Sequence, residues 1–511
     1  MKSIKIAAFA LGALLCSCSL EEEPYGFMSK NNFYKTEADA ESAIANVYGT
    51  FGMNDAYGQA YIYALGFSGD DMMCGADTRA NDQDYAELGT TSRQYGPQAT
   101  NQFLSRAFRS AYLASNLSNY VIAYVPNCSM DPKYKNHIIG EAYFIRAWQH
   151  FNLVRMFGQV PIRTEPIESG DQIHVPLSPI EDVYTQIVKD LKSAETLLQK
   201  VRRVGRVDRW GAQGMLAKVY LTMATSRESN LTGYEFVDVN EAYSEAKKYA
   251  ALVMDDAQCP YKLETQSLWN IYDIKQRENC ERVFCIALDH SGTPGNDFEV
   301  SKLPMYWTPA LGSGSELTLH TAFGDKLAFK GFSSFCYNQI FISQAEAGDK
   351  RISQLVGTKF TNGSSIYEYT PGSNIANFRG PYSIKYLDEE FVGQNHSALI
   401  PILRFTDIAL IYAEADGGED TRSYDIMRTV RTRAGLNELP SGMLKQDFRN
   451  AVRKERKFEF MGEFERVYDM RRTGSVETSM ALAGKVILPG INPYFFPLPA
   501  KETEMNGAIQ K

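Results

Sequence analysis

Apolar residues recur at helical spacing through much of the first half of the chain. Tyr184, Ile187, Leu191, Ala194 and Leu198 follow one another at steps of three or four residues, with mostly polar residues between them. This spacing places the five side chains on one face of an α-helix. The pattern therefore predicts an amphipathic helix whose apolar face packs against the protein core.

Two later stripes share one internal spacing and lie about thirty residues apart, which is typical of a helical repeat. Each stripe begins with a small residue, and small residues let neighbouring helices approach closely. The pattern indicates an antiparallel repeat of tetratricopeptide type, with two ordinary core helices as the alternative. The stripes consist of Ala212, Leu216, Val219, Tyr220 and Met223, and of Ala242, Ala246, Tyr249, Ala250 and Val253.

One stretch predicts a helix that is packed on several sides. It runs from Gly140 to Ile162 and reads GEAYFIRAWQHFNLVRMFGQVPI. Its apolar residues cover more than one face, which is expected only where a helix is largely buried. Gly158 ends the helix and Pro161 prevents it from resuming. No catalytic residue stands out, so the stretch is interpreted as part of a helical scaffold.

The helical period is lost in the second half of the chain and returns near the C-terminus. We predict a helical-repeat part over 31–254, a loop-rich insert over 255–400 and a C-terminal helical part over 401–511. Short runs in the insert, such as Arg282 to Leu288, predict strands. A long and weakly periodic region of this kind is more often functional than idle. The fold class is therefore mainly α with few short strands, and 18–511 is expected to form one globular unit.

The first residues form a processing signal that is separate from the fold. A charged start precedes an apolar run that is too short to cross a bilayer as a helix of about 20 residues. Leu15 and Ser17 stand three residues and one residue before Cys18, as in a bacterial lipobox. We predict a signal peptide over 1–17, lipidation of Cys18 and a polar tether over 18–30. The alternative is an ordinary secreted protein with cysteines in its signal peptide.

Charge and composition exclude several classes of protein. The chain carries 53 basic and 61 acidic residues, a net charge of −8, and has no basic block, which argues against nucleic-acid binding. Six histidines are few and scattered in a chain of 511 residues. The motifs G-x-S-x-G, H-E-x-x-H, G-x-G-x-x-G and the P-loop are all missing. We therefore expect no cofactor, no metal site and no catalytic residues.

A group of aspartates lies in a region with little helical periodicity. A calcium loop is one interpretation, because hard cations bind several oxygens. The EF-hand spacing is absent, so aspartates that stabilise turns are the favoured interpretation. The residues are Asp70, Asp71, Asp77, Asp82 and Asp84.

The stretch from Ala451 to Gly474 reads AVRKERKFEFMGEFERVYDMRRTG and is dominated by charged residues. Carboxylates and guanidiniums stand three and four residues apart, so they can pair along a helix. A catalytic role would need one carboxylate held away from its partners, and nothing in the sequence indicates one. We interpret the stretch as ion-pair scaffolding.

Five segments, in this order along the chain, resemble the SusD/RagB family of nutrient-binding outer-membrane lipoproteins from Bacteroidota. They are the lipobox, FYKTEADAESAIANVY, GEAYFIRAW, RFTDIALIYAEA, and RKERKFEFMGEFERVYDMRRTG with FFPLPAKE. The segment GRVDRWGAQGMLAKVYLTMA is similar to a family repeat segment. Tyr143, Thr406 and Asp407 depart from the common wording at scaffold positions. The resemblance implies a SusD-like fold, with tetratricopeptide-type repeats as scaffold and a loop-rich ligand-binding region.

The resemblance also implies a function and partners. It indicates a lipoprotein that captures an oligo- or polysaccharide and delivers it to a SusC-like TonB-dependent transporter. The acidic run Glu21 to Glu23 after Cys18 resembles the signal for transfer to the cell surface. We therefore expect a protein that is anchored in the outer membrane by its lipid and faces the cell exterior.

Aromatic residues on loops are the candidates for glycan contact, because rings stack on the C–H faces of sugars. Tyr306 and Trp307 lie between Pro304 and Pro309, which suits a rigid platform. The alternative is that these two rings plug the base of the loop. Trp148 and Trp210 are expected in the core, whereas Trp269 fits either environment.

The family resemblance adds Tyr95 and Asn101, which fall in the other region where the family places ligand residues. Two other functions remain open. Some relatives assist peptide uptake, and a glycoside hydrolase would need two carboxylates roughly 5–10 Å apart. Carboxylates abound in this chain, so their presence does not discriminate between binding and hydrolysis.

Overall fold

The computed structural model describes residues 33–75, 82–90, 93–290, 301–373, 375 and 378–509. The α-helices within these ranges are α1 (Glu37–Gly49), α2 (Ala60–Ser68), α3 (Gln83–Ala86), α4 (Gln102–Tyr124), α5 (Pro132–Phe157), α6 (Ile180–Leu197), α7 (Arg209–Glu228), α8 (Val239–Met254), α9 (Leu268–Tyr272), α10 (Leu303–Trp307), α11 (Gln339–Ile342), α12 (Lys350–Leu355), α13 (Phe405–Asp416), α14 (Thr421–Arg433), α15 (Lys445–Glu459), α16 (Arg466–Arg472), α17 (Val476–Leu482) and α18 (Ala500–Met505).

The strands are short and most of them lie in the predicted insert. They are β1 (Met72–Cys74), β2 (Gln94–Tyr95), β3 (Arg282–Leu288), β4 (Glu316–Thr321), β5 (Gly324–Phe329), β6 (Phe335–Tyr337), β7 (Val356–Gly357), β8 (Lys359–Asn362), β9 (Ser365–Glu368), β10 (Tyr382–Ser383), β11 (Ala398–Arg404) and β12 (Val486–Ile487). A four-stranded antiparallel sheet has the order β5-β4-β8-β9, and the remaining strands form two-stranded pairs. The predicted mainly α class with few short strands is confirmed.

The scaffold is a stack of helices that follow the chain order. Each helix from α4 to α8 packs against the next one, and α13 then packs against α8. Ala212 and Ala242, the small residues that begin the two stripes, are both buried, as expected where helices meet. Consecutive pairing of this kind is what a helical repeat requires, because each pair buries the apolar face of its neighbour.

The helix α5 is buried along most of its length, as its sequence predicts. Gly140 lies against α6, where a Cβ atom would come within 3.0 Å of the Leu197 and Leu198 side chains. Trp148 is buried between Phe51 and Phe284, at ring-centroid distances of 4.9 and 5.3 Å. The helix ends at Phe157 because Gly158 adopts a φ of +75°, a left-handed conformation that favours glycine.

The last helical part begins later than its sequence predicts. Its apolar run from Ile402 reads as helix, but 398–404 form β11, and α13 starts at Phe405. β11 pairs antiparallel with β3, and both strands are almost fully buried. Apolar runs that are buried on every side carry no period that distinguishes a strand from a helix, so the distant partner β3 decides.

The charged C-terminal stretch forms ion pairs, as predicted, but its central pairs are buried and join different elements. Glu459 accepts from Arg433 at 2.6 Å, from Arg404 at 3.1 Å and from Arg351 at 3.4 Å. Burial alone would raise the pKa of Glu459, but the three guanidiniums outweigh it and lower that pKa. The expected pairing along one helix is therefore wrong here, and the pairs fix the insert against the C-terminal helices.

The first two aspartates of the predicted turn region lie in the core. Asp70 accepts two hydrogen bonds from Arg466, at 2.6 and 2.9 Å. Asp71 accepts from the Gly462 backbone N–H at 2.9 Å, and burial, reinforced by the charge of Asp70, raises its pKa to about 6. Both residues lie in the bend between α2 and β1, but their carboxylates bind residues far along the chain, and Asp77 lies outside the described residues. The described ranges contain no group of three or more metal-ligating side chains.

Candidate ligand-binding groove

The predicted aromatic platform is part of the core. Tyr306 and Trp307 form the last turn of α10 and are only 3% and 1% exposed. The Tyr306 hydroxyl donates to the Gly58 carbonyl at 3.0 Å. The Trp307 ring packs against Phe335 and Tyr337, at 5.3 and 4.9 Å between centroids. The expected exposure is therefore wrong, and the alternative that these rings plug the base of the loop describes their position.

The other two predicted ligand residues are also buried. Tyr95 lies on β2 beside Arg471, and burial raises the pKa of its hydroxyl. Asn101 caps α4, and its side-chain oxygen accepts from the N–H groups of Phe103 and Leu104. Its amide nitrogen donates to the Asp84 carbonyl at 2.9 Å, so the polar atoms of Asn101 already have partners. Cys18 lies outside the described residues.

Trp269 is the exception among the four tryptophans. Trp148, Trp210 and Trp307 are 1–2% exposed, whereas Trp269 is only half-buried. It belongs to the short helix α9, which begins where the Ser267 hydroxyl accepts from the Trp269 backbone N–H at 3.2 Å. An indole that keeps an accessible face on an ordered helix is suited to stacking on a flat apolar surface.

A second accessible ring stands beside Trp269. Phe323 occupies the two-residue turn between β4 and β5, and the rings of Phe323 and Trp269 lie 5.6 Å apart with 32° between their planes. The turn is fixed by Thr321, whose hydroxyl donates to the Gly324 carbonyl at 2.7 Å. The Lys326 ammonium lies 5.5 Å from the centre of the Trp269 ring. The insert and its hairpin therefore place two rings side by side.

A polar groove of about 570 Å³ adjoins this aromatic pair at Phe323. Its walls come from α9 and the residues before it, from the β4–β5 turn, from α12 and from the C-terminal half of α14. The lining residues are Thr265, Gln266, Ser267, Leu268, Phe323, Lys350, Gln354, Arg428, Thr429, Thr432 and Arg433.

The groove offers hydrogen-bonding groups that the protein itself leaves free. Within the described part of the chain, the side chains of Gln266, Gln354 and Thr432 have no hydrogen-bond partner, and all three reach solvent. Amides and hydroxyls both donate and accept, which matches the hydroxyl groups of a sugar. Free polar groups beside accessible rings are the usual composition of a small-ligand site.

A second groove of about 740 Å³ is larger but more apolar. It lies where α5 and α6 meet the C-terminal segment, and its walls include Phe157, Ile180, Ile491, Phe495 and Leu498. It contains no tryptophan. Its size suits a ligand, but its walls suit apolar side chains better than hydroxyl groups.

The sequence contains a signal for the smaller groove. Trp269 fitted either a core or a surface position, and the capping serine before it marks a helix start near the surface. Phe323 lies in the two-residue turn between Thr321 and Gly324. A side chain in such a turn projects past the ends of the two strands and is not covered by the sheet. The contact between the two residues comes from the fold, since 53 intervening positions separate them.

The fold and the groove define a helical-repeat protein with a ligand-sized site in its insert, and comparison with known proteins gives the family. The SusD family model matches residues 333–511, and a model described as starch-binding and associating with the outer membrane matches residues 20–221. The chain belongs to the SusD/RagB family. SusD-like protein P2 from Formosa agariphila is 25% identical over 100% of this chain and 99% of its own length.

Solved structures share the fold. A laminarin-binding SusD-like protein superposes with a TM-score of 0.74 at 21% identity, over 93% of this chain and 99% of its own. Surface glycan-binding protein A from Bacteroides fluxus superposes with a TM-score of 0.72 at 19% identity, over 93% and 97%. Every helix within the described residues is too short or too polar to cross a membrane.

Proposed function

We propose that this protein binds a glycan without cleaving it, and that the ligand lies in the groove beside Trp269 and Phe323. The observation that carries the proposal is the position of Trp269. It alone among the four tryptophans is accessible, and it stands beside a groove that offers free amides and hydroxyls. Stacking on the rings and hydrogen bonds from the groove would recognise the two kinds of surface that a sugar presents.

The family supports the same class of ligand. The family description names starch binding, and two proteins of this fold are a laminarin-binding protein and a surface glycan-binding protein. We further propose that the chain is anchored through Cys18, faces the cell exterior and delivers its glycan to a SusC-like TonB-dependent transporter. The lipobox in the sequence supports the lipid anchor, and the family resemblance supports the orientation and the transporter partner.

A glycan array on the mature domain, followed by calorimetric titration of the best ligand, tests the proposal. Trp269→Ala removes the stacking surface and should weaken binding by about 5- to 30-fold, because a ring contact of this kind is worth about 1–2 kcal/mol. Trp269→Phe keeps an aromatic face and should retain most of the affinity. The melting temperature of each variant shows whether the fold is intact.

The matched comparison is Phe495→Ala, which removes a half-buried ring from the larger groove. Loss of glycan binding in Phe495→Ala together with full binding in Trp269→Ala would move the site to that groove. Release of reducing ends from the bound glycan would show that the protein cleaves its ligand, and this result would overturn the proposal.

Peptide binding remains the second candidate, and the larger groove is the observation that favours it. Its apolar walls, formed by residues such as Phe157, Ile491 and Leu498, could hold the side chains of an extended peptide. A peptide library screened beside the glycan array separates the two candidates. Retention of peptides alone, with sensitivity to Phe495→Ala, would favour the second.

A further inference from the structure

We propose that the groove beside Trp269 selects glycans that carry an anionic group, either a uronate carboxylate or a sulfate ester. The inference rests on the proposed function, because it names the class of glycan that the same groove would take. Three of the lining side chains, Lys350, Arg428 and Arg433, are cationic, and none of the described residues that line the groove is a carboxylate. This composition contrasts with the chain as a whole, whose net charge is −8.

Lys350 is the first available cation. It is the first residue of α12 and is exposed. Among the described residues its ammonium has no carboxylate within salt-bridge distance, and the neighbouring Asp349 carboxylate is occupied by the Arg351 guanidinium at 2.7 Å. An ammonium at the edge of a groove, without a partner of its own, attracts an anionic ligand group.

Arg428 is the second available cation. Its only carboxylate partner within the described ranges is Asp425, three residues earlier on α14, and both side chains are about half exposed. An exposed pair of this kind contributes little free energy, because water screens it and both side chains lose entropy. The guanidinium can therefore turn towards a ligand at small cost.

Arg433 lies deeper, and its partners leave one donor unused. Its four terminal N–H groups donate to Glu281, to the Glu264 carbonyl at 3.0 Å, to Glu459 at 2.6 Å and to the Thr406 hydroxyl at 3.0 Å. Its Nε–H is buried and has no partner in the part of the chain that the structure describes, and the side chain is only 5% exposed. A buried donor without an acceptor is costly, so an anionic oxygen that reached the floor of the groove would relieve it.

The carboxylates that surround the groove are already engaged. Glu264 accepts from the Gln266 backbone N–H at 2.7 Å and from Asn279 at 3.1 Å. Glu389 holds Lys326 at 3.1 Å, beside Trp269. Glu281 and Glu459 pair with Arg433 behind the groove wall. Most of the surrounding negative charge is thus neutralised by protein partners. The solvent side presents Lys350 and Arg428, with Asp425 as the exposed partner of Arg428.

The test compares matched glycans that differ only in charge. Oligogalacturonate is titrated beside its methyl ester, and a sulfated galactan oligosaccharide beside its desulfated form, so that the two pairs separate carboxylate from sulfate. We expect at least one acidic form to bind about 10-fold or more tightly than its neutral partner at low salt. The preference should shrink as sodium chloride is raised to about 1 M, where charges are screened within about 3 Å.

Charge-removing variants locate the effect. Lys350→Gln and Arg428→Gln should each lower the ratio of acidic to neutral affinity several-fold, and Lys454→Gln, an exposed lysine outside the groove, should leave it unchanged. Equal affinity for the acidic and the neutral member of each pair would overturn the inference. So would a ratio of acidic to neutral affinity that neither Lys350→Gln nor Arg428→Gln alters. In both cases, binding that still depends on Trp269 would uphold the proposed function. Absence of any Trp269-dependent glycan binding would remove the proposed function and the inference together.

Discussion

Glu414 joins three helices through one buried carboxylate, and its removal gives a direct measure of the ionic core. It lies on α13 and is fully buried. It accepts from Arg453 of α15 at 2.7 Å, and from both terminal nitrogens of Arg472 of α16 at 2.9 and 2.8 Å. The perturbation is Glu414→Gln, which keeps the size of the side chain and removes its charge.

The expected loss follows from the pKa of the carboxyl group. Burial would raise this pKa, but Arg472 and Arg453 outweigh burial and lower it from 4.5 to about 2. At about 1.4 kcal/mol per unit, the charged form is stabilised in the folded state by about 3 kcal/mol. Breaking a buried ion pair on one side costs about 3–5 kcal/mol, which agrees. We therefore expect Glu414→Gln to lower the free energy of unfolding by about 3 kcal/mol at pH 7.

The pH dependence has a definite sign. The folded-state pKa lies below the unfolded value, so the stabilisation is fully present above about pH 5 and is lost as the pH falls towards 2. Urea denaturation of both proteins from pH 7 to pH 3.5 should show the difference shrinking by about 1 kcal/mol. The control is Glu419→Gln, since Glu419 forms an exposed pair with Lys445 and should contribute less than about 1 kcal/mol.

Two results would refute this reasoning. The first is a loss at pH 7 no larger than that of Glu419→Gln, which would mean that the buried pair barely exceeds its desolvation cost. The second is a large loss that does not change with pH, which would point to disturbed packing and not to the charge of Glu414.

Two further changes test the fold and the position of the buried platform. Trp307→Ala should lower the free energy of unfolding by about 3–5 kcal/mol and lower the melting temperature, because it opens a cavity beside Phe335; an unchanged melting temperature with lost glycan binding would return Trp307 to the ligand site. Gly158→Ala should cost about 1–2 kcal/mol in thermal denaturation, because alanine is strained at a φ of +75°. Gly170→Ala, at a position with open space around its Cα, is the matched control, and an equal effect at both glycines would contradict the explanation.

The local pattern was sufficient to predict most of the scaffold. Thr36 and Asp39 stand three residues apart, the spacing of a capping box, and they form one at the start of α1. Gly158 ends α5 where its sequence indicates. These features are fixed by residues a few positions apart, so a single sequence contains the interactions that produce them. The helices α6, α7 and α8 could be predicted from their apolar stripes for the same reason, because helical spacing alone determines which side chains share a face.

Features that depend on a distant partner could not be predicted from the local sequence pattern. The run from Ile402 reads as a helix until β3, more than a hundred residues earlier, pairs with it as a strand. Glu459 reads as a member of pairs along one helix, but Arg351, Arg404 and Arg433 reach it from three other elements. The ionic core is therefore a property of the assembled fold.

The ligand site shows the same division most clearly. The sequence by itself determined that aromatic residues lie in the loop-rich insert, and that the scaffold around them is helical. Only the tertiary structure decided which of these rings meets solvent: the Tyr306 hydroxyl bonds a carbonyl 248 positions away and its neighbour Trp307 is buried with it, whereas Trp269 remains accessible beside Phe323. Exposure depends on what packs over a side chain, and for these rings the packing partners come from distant parts of the chain.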